Sequence, residues 1–189
     1  GRRSWLVPLV YEAFDWHHGV FAASGMGTET TSAAMHMVGM LRRDPMAMLP
    51  FCGYNMADYF RHWLSIGHRL QNPPKMFFVN WFRTDDATGE FLWPGFGHNI
   101  RVLKWIMDRV RGRVGARETP IGLVPHLSDL ELSGLSIPRE NLERLFAVHE
   151  EAWLAEAAEI AQFYEQFGDR MPQELVGELH GLVRRLEGS

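Results

Sequence analysis

Between positions 81 and 99 the chain gathers Trp81, Phe82, Phe91, Trp93, Phe96 and Asn99. Aromatic rings offer flat apolar faces, and an amide offers a donor and an acceptor at one point. Such a set could stack a flat aromatic ligand and read its edge. The competing reading packs the same rings into a hydrophobic core, and pattern alone favours it. An anionic ligand would need local cations, and Arg2-Arg3 and Arg42-Arg43 are the candidates, although paired arginines equally make a solvated face.

A second group with chemical potential follows Ser24-Gly25-Met26-Gly27-Thr28 and runs through Glu29–Met37, ETTSAAMHM. Its glycines permit unusual backbone conformations, and its hydroxyls can hydrogen-bond phosphate oxygens. No lysine follows at phosphate-loop spacing, so the stretch reads either as an ordinary connection into a short helix or as a gating loop. His17-His18 invites a metal reading. Within a predicted strand over Trp16–Ala23, however, neighbours point to opposite faces and could not easily share an ion. His62 and His68, six apart, fit no helical ligand pair. The expected metal site in this chain is therefore none.

The elements that must position these residues follow from local pattern. MFFVNWF, Met76–Phe82, has strand composition; Asp85-Asp86-Ala87-Thr88-Gly89 is turn chemistry; Glu90–Trp93 reads as the returning strand. Pro94-Gly95 ends the pairing, and Gly97 and Asn99 lead into a helix with Ile100, Leu103, Ile106, Met107 and Val110 as its apolar stripe. Upstream, Trp5–Phe14 reads as an edge or irregular strand around Pro8. Asn55 and Asp58 look like an N-cap and its reciprocal partner for a helix over Met56–Ile66, with Tyr59, Phe60, Trp63 and Leu64 on one side. Three helices are predicted to close the chain, over Pro138–Val148, His149–Phe167 and Pro172–Leu186. Pro138 and Pro172 suit their first turns and Gly168 suits a C-cap. Trp153, Ile160, Tyr164 and Phe167 form the core face of the middle one. The fold class expected is α/β or α+β, with a mixed sheet and a helical C-terminal end.

Composition bounds the function. Of 189 residues, 46% are hydrophobic and 22% charged, which argues for a globular fold and against disorder. A net charge of −4 gives no positive field for nucleic acid. No apolar run approaches the ~20 residues of a membrane helix. The single Cys52 excludes an internal disulfide framework and leans towards a reducing compartment.

VNWFR followed by FLWPGFGHN resembles the nucleotide-base pocket of GTP-dependent phosphoenolpyruvate carboxykinase. GRR, VPLVYEAFDWHHGVF, DPMAMLPFCGYN and TPIGLVP extend that resemblance in order along essentially the whole chain. It corresponds to the C-terminal part of that family's chain, so residues 1–189 are expected to be a fragment. The resemblance implies conversion of oxaloacetate and GTP to phosphoenolpyruvate, CO₂ and GDP, with Mn²⁺ or Mg²⁺ held by residues outside this chain. It implies that Phe82 and Phe96 sandwich guanine, that Phe91 is a further ring against it, and that Trp81 is a pocket wall. Asn99 would lie at the base edge, and Arg2 would reach the terminal phosphate of GTP. Residues 24–39 correspond to the family's active-site lid, where Thr28, Glu29, Thr30 and Thr31 fit the pattern; 76–99 would be the guanine-binding hairpin and 138–189 the C-terminal helices. Gly27, Met35, Met37 and Leu49 depart from animal members, and RRDPMAMLPF is closer to bacterial ones. The implied partners are GTP, oxaloacetate or phosphoenolpyruvate and the rest of the same polypeptide, in a monomeric cytoplasmic enzyme with no nucleic-acid or membrane partner. A non-catalytic nucleotide-binding module, an inactive paralogue, and a structural domain with an aromatic core remain the alternatives.

Overall fold

The computed structural model describes residues 6–29, 41–85 and 87–188, without the side chains of Thr28, Glu29 and Leu41. Its centre is a four-stranded sheet in the order β4-β1-β6-β5, built from β1 (Val10–Glu12), β4 (Phe77–Val79), β5 (Arg117–Thr119) and β6 (Gly122–Val124). The α and β mixture with a helical C-terminal end is as expected. Where a mixed sheet was expected, every ladder among the described residues is antiparallel. Three-residue strands carry no sign of their direction in sequence, so pattern could not decide this.

Strand β1 is fully buried and central, which corrects the edge-strand expectation. Pro8 precedes the strand, so its missing N–H costs the ladder nothing. Tyr11 faces Phe78 across the β1–β4 pair, with the rings stacked at 4.9 Å. Gly122 (φ +139°) opens β6 where a side-chain carbon would come within 2.6 Å of the Glu12 carbonyl, a position only glycine fills.

Trp16–Ser24 is helix α1 rather than a strand. The apolar pattern WHHGVFAA fits either period, and the cap decides. Asp15 is extended and its Oδ1 accepts from the His18 N–H at 2.8 Å, nucleating the first turn. The two histidines then diverge. His18 is buried with Nδ1 accepting from the Phe14 N–H, while His17 lies against His68 with ring centres 5.0 Å apart. A short ribbon, β2 (Gly27–Glu29) with β3 (Leu41–Arg43), follows α1.

Helix α2 (Met56–Gly67) has the predicted Asn55 cap, whose Oδ1 accepts from the Ala57 N–H at 2.9 Å. Asp58 does not return the bond; it pairs with Arg61 at 2.9 Å and Arg170 at 2.7 Å. Helices α4 (Arg139–Leu145), α5 (Glu150–Glu165) and α6 (Gln173–Glu187) occupy the three predicted C-terminal spans. Pro138 and Pro172 each take the residue just before the helix, and Gly168 adopts φ +53° after α5. Trp153, Ile160 and Tyr164 are buried as expected, and α6 packs on both α1 and α5.

Helix α3 (Asn99–Val110) departs most from its pattern. It buries Val102, Trp105 and Asp108, while Ile100, Leu103, Met107 and Val110 of the expected stripe are exposed. The helix carries two apolar faces, and the one bearing the larger ring is docked. Trp105 meets Phe77 edge-on at 5.9 Å. Nearby, Arg109 Nε donates to the buried Glu12 carboxylate at 2.7 Å, and Lys75 reaches the other oxygen of that carboxylate. Among the described residues no helix is long and apolar enough to cross a membrane.

Candidate functional site

Each end of the aromatic stretch is tied to the core. At its start, Asn80 is fully buried, with its NH₂ donating to the Val7 carbonyl at 2.8 Å and its Oδ1 accepting from the Phe82 N–H at 3.1 Å. The amide thus fixes where the chain leaves β4 and where Phe82 stands. The hairpin beyond is shorter than predicted. Among the described residues the bridge Thr84↔Phe91 and the bonds from Leu92 N to Arg83 O and from Asp85 N to Glu90 O join its arms.

Asp85 organises the turn. Its Oδ1 accepts from the Ala87 and Thr88 N–H groups, and its Oδ2 pairs with Arg144 of α4. The Arg144 bond first, then those backbone donors, hold its carboxyl down at about 2. Gly89, at φ +71°, closes the loop back onto the Asp85 carbonyl.

At the far end, Gly95 adopts φ +95°, ψ −153°, a region essentially closed to residues with side chains. It turns the chain from the hairpin into a 3₁₀ turn over Phe96–His98 that feeds α3. Asn99 opens the helix, and its Oδ1 accepts from the buried Trp93 Nε1–H at 2.9 Å. Arg101, two residues on, donates to the Glu131 and Ser133 carbonyls and so anchors the helix start to the 131–133 segment.

The six residues singled out by type therefore separate into three sets. Trp93 is core, 2% exposed. Trp81, Phe82 and Asn99 are half-buried. Phe91 is 62% exposed and Phe96 is 95% exposed. Phe82 and Phe91 meet edge-to-face at 5.9 Å. A phenylalanine with almost its whole surface in water contributes nothing to the core of this part of the polypeptide.

The second predicted group is placed only in part. Thr28 and Glu29 lie in β2, paired with Arg42 and Leu41 of β3. Arg2, Thr30 and Thr31 lie outside the described residues. What the structure adds is the fastening of the ribbon. Arg43 of β3 donates to the Gly25 carbonyl at 2.7 Å, to Glu156 at 2.5 Å and to Glu159 at 3.2 Å. A cavity of about 260 Å³ borders Gly25, Met26 and Gly27 and is walled by Tyr11, His18, Phe78 and Trp153. None of the six hairpin residues lines it. Burial and then the Arg185 charge lower the His18 pKa to about 4, so the imidazole brings no charge to the cavity, which Glu156 also lines.

The anchoring by Asn80 and the Trp93–Asn99 bond were not foreseen, and Arg43, read as an anion-binding candidate or part of a solvated face, is instead buried against Glu156. An asparagine inside a strand-like run was the only visible sign of the first; the other two depend on residues brought together by the fold.

The sequence model of the family described as "Phosphoenolpyruvate carboxykinase C-terminal P-loop domain" matches residues 1–185. The chain belongs to the GTP-dependent phosphoenolpyruvate carboxykinase family. Curated relatives named "Phosphoenolpyruvate carboxykinase [GTP]" agree along its length. The Thermoplasma volcanium protein is 50% identical over 98% of this chain and 31% of its own length. That of Neocallimastix frontalis is 49% identical over 100% of the chain and 31% of its own. That of Anaeromyxobacter dehalogenans strain 2CP-1 is 47% identical over 100% and 32%. The chain thus spans about a third of the length of the carboxykinases it matches.

Proposed function

We propose that this chain is the C-terminal part of a GTP-dependent carboxykinase that converts oxaloacetate and GTP to phosphoenolpyruvate, CO₂ and GDP in the cytoplasm. Its own share of the work is to hold guanine and to carry the loop that closes the site. One observation supports the first role above the rest. Phe96 stands in solvent beside Asn99, on a backbone turn only Gly95 permits. With Phe82 and Phe91 as neighbouring rings, the hairpin can stack a base, and Asn99 can meet its edge. The core of this part of the polypeptide makes no use of the Phe96 ring.

The loop role is supported by the anchored ribbon. An enolate intermediate must be kept from water until the phosphoryl group arrives, or it is protonated to pyruvate. A closing loop needs a rigid base, and β2–β3 held by Arg43 is one. Phosphoryl transfer further requires positive charge around the transferring group, and we assign part of it to Arg2 on the family resemblance. Among the described residues no three His, Cys, Asp or Glu side chains are grouped to hold an ion. The Mn²⁺ or Mg²⁺ implied for the enzyme is expected to be held by residues outside this chain, and nothing in the chain's role is routed through it.

The test uses the complete polypeptide. Residues 30–39 are replaced by a short glycine linker, which spares the ribbon, and oxaloacetate is turned over with GTP or with ATP. The expected result is near-normal GDP affinity, a raised ratio of pyruvate to phosphoenolpyruvate, and clear preference for GTP. Equal turnover with ATP in the wild type would contradict the guanine reading, and an unchanged product ratio with unchanged turnover would make the loop a connection only.

A further inference from the structure

Trp93 and Asn99 form a pair whose chemistry allows one arrangement only. An indole N–H is a donor with no acceptor capacity, so the amide atom facing Trp93 Nε1 at 2.9 Å must be the oxygen. Trp93 is 2% exposed and wedged in the core, so its N–H is a fixed reference. The amide is thereby prevented from turning over, and its NH₂ is left on the side away from the indole nitrogen. Among the described residues that NH₂ makes no hydrogen bond, and Asn99 is half-buried, three residues after the exposed Phe96.

We infer that Trp93 is a specificity-determining positioning residue: it locks the Asn99 amide with its donor outward, so that the site favours a purine with a carbonyl at position 6. This rests on the guanine-pocket reading above and adds the residue that gives the pocket its sign. An unrestrained asparagine can rotate its amide and offer either a donor or an acceptor, at little cost, and so reads nothing. With bases stacked in the same slot, guanine O6 and adenine N6–H₂ fall at the same place. An outward NH₂ meets an acceptor in the first case and another donor in the second. Trp93 itself touches no ligand in this account; it acts through Asn99.

The probes are GDP, inosine diphosphate, which keeps O6 but lacks the 2-amino group, and ADP, titrated calorimetrically into the complete polypeptide. Wild type is expected to bind GDP and inosine diphosphate more tightly than ADP. Trp93→Phe keeps a ring and removes the N–H, and should narrow the preference for both 6-oxo nucleotides over ADP by about three- to tenfold, the worth of one neutral hydrogen bond. The melting transition reports packing separately. Equal weakening of all three nucleotides, or an unchanged ratio in a folded variant, overturns the assignment. Should Trp93→Phe fail to fold, Asn99→Asp answers instead. Its carboxylate can still accept from the indole yet has no donor, so the 6-oxo preference should fall tenfold or more. Retained preference there also overturns the assignment. The pocket reading fails differently: Phe96→Ala would then leave all three affinities unchanged, whatever Trp93 does.

Discussion

Removing the Arg43 side chain should unfasten the β2–β3 ribbon at a cost large enough to measure. The side chains of Arg43 and Glu156 are 10% and 7% exposed, so the pair is shielded from water, and Arg43 also caps the Gly25 carbonyl. Deleting one member of such a pair strands the other charge and typically costs ~3–5 kcal/mol. Its third contact, Glu159, is 50% exposed, and water screens such a pair to less than ~1 kcal/mol. Arg43→Met in the complete polypeptide is therefore expected to be strongly destabilised, and Glu159→Ala barely so. Arg43→Met with Glu156→Leu should recover much of the loss, because no buried charge is then stranded. Urea unfolding of the four proteins gives the energies. Hydrogen exchange at Asp44, whose N–H bonds the Met26 carbonyl beside the ribbon, shows whether the loss is local. An Arg43→Met variant within 1 kcal/mol of wild type, or a Glu159→Ala variant equally damaged, would refute the reasoning.

Other perturbations test other parts of the fold. The folded pKa of His18 is about 4 against an ordinary 6.5, so the unfolded chain takes up a proton first and stability falls as pH drops through that window. The loss should total about 3 kcal/mol and be absent in His18→Gln, which keeps an acceptor for the Phe14 N–H; parallel pH profiles for the two proteins would contradict it. Asp85 is held down at about 2, so the hairpin turn should stay ordered above the usual carboxylate range and loosen only as pH falls from about 4 towards 2. Amide exchange at Thr88 that rises already near neutral pH would sink that expectation. Gly95→Ala places a side chain at φ +95°, ψ −153° and should cost ~1–3 kcal/mol or displace Phe96, weakening GDP binding. Unchanged melting and unchanged affinity together would show that the turn is not needed.

How far the sequence could be read depended on whether local chemistry decided the outcome. The C-terminal helices and the Asn55 cap were legible because proline, an amide side chain and apolar spacing all point one way. WHHGVFAA was not, since its apolar positions fit both periods and the deciding atom, Asp15 Oδ1, lies just outside the run. Helix α3 has two apolar faces, and only the fold shows that Trp105 rather than Ile100 and Leu103 meets the sheet. Within the candidate site, residue types identified the rings and the amide. They could not distinguish Trp93 as core from Phe96 as solvent-facing, because both are aromatic and three positions apart on opposite sides of Pro94-Gly95. That separation comes from one glycine conformation and one hydrogen bond, neither of which has a signature in composition.

The most direct test of the guanine pocket is calorimetric titration of Phe96→Ala with GDP and ADP, beside its thermal melt. Because Phe96 is 95% exposed, truncation should leave stability within ~0.5 kcal/mol of wild type rather than exact the ~3–5 kcal/mol of a core phenylalanine. Losing a stacking face should weaken GDP binding by ~1–3 kcal/mol, roughly five- to 150-fold. A stable protein with that loss is the result predicted here; a destabilised protein that still binds GDP as tightly as wild type would return Phe96 to a structural role and contradict the account.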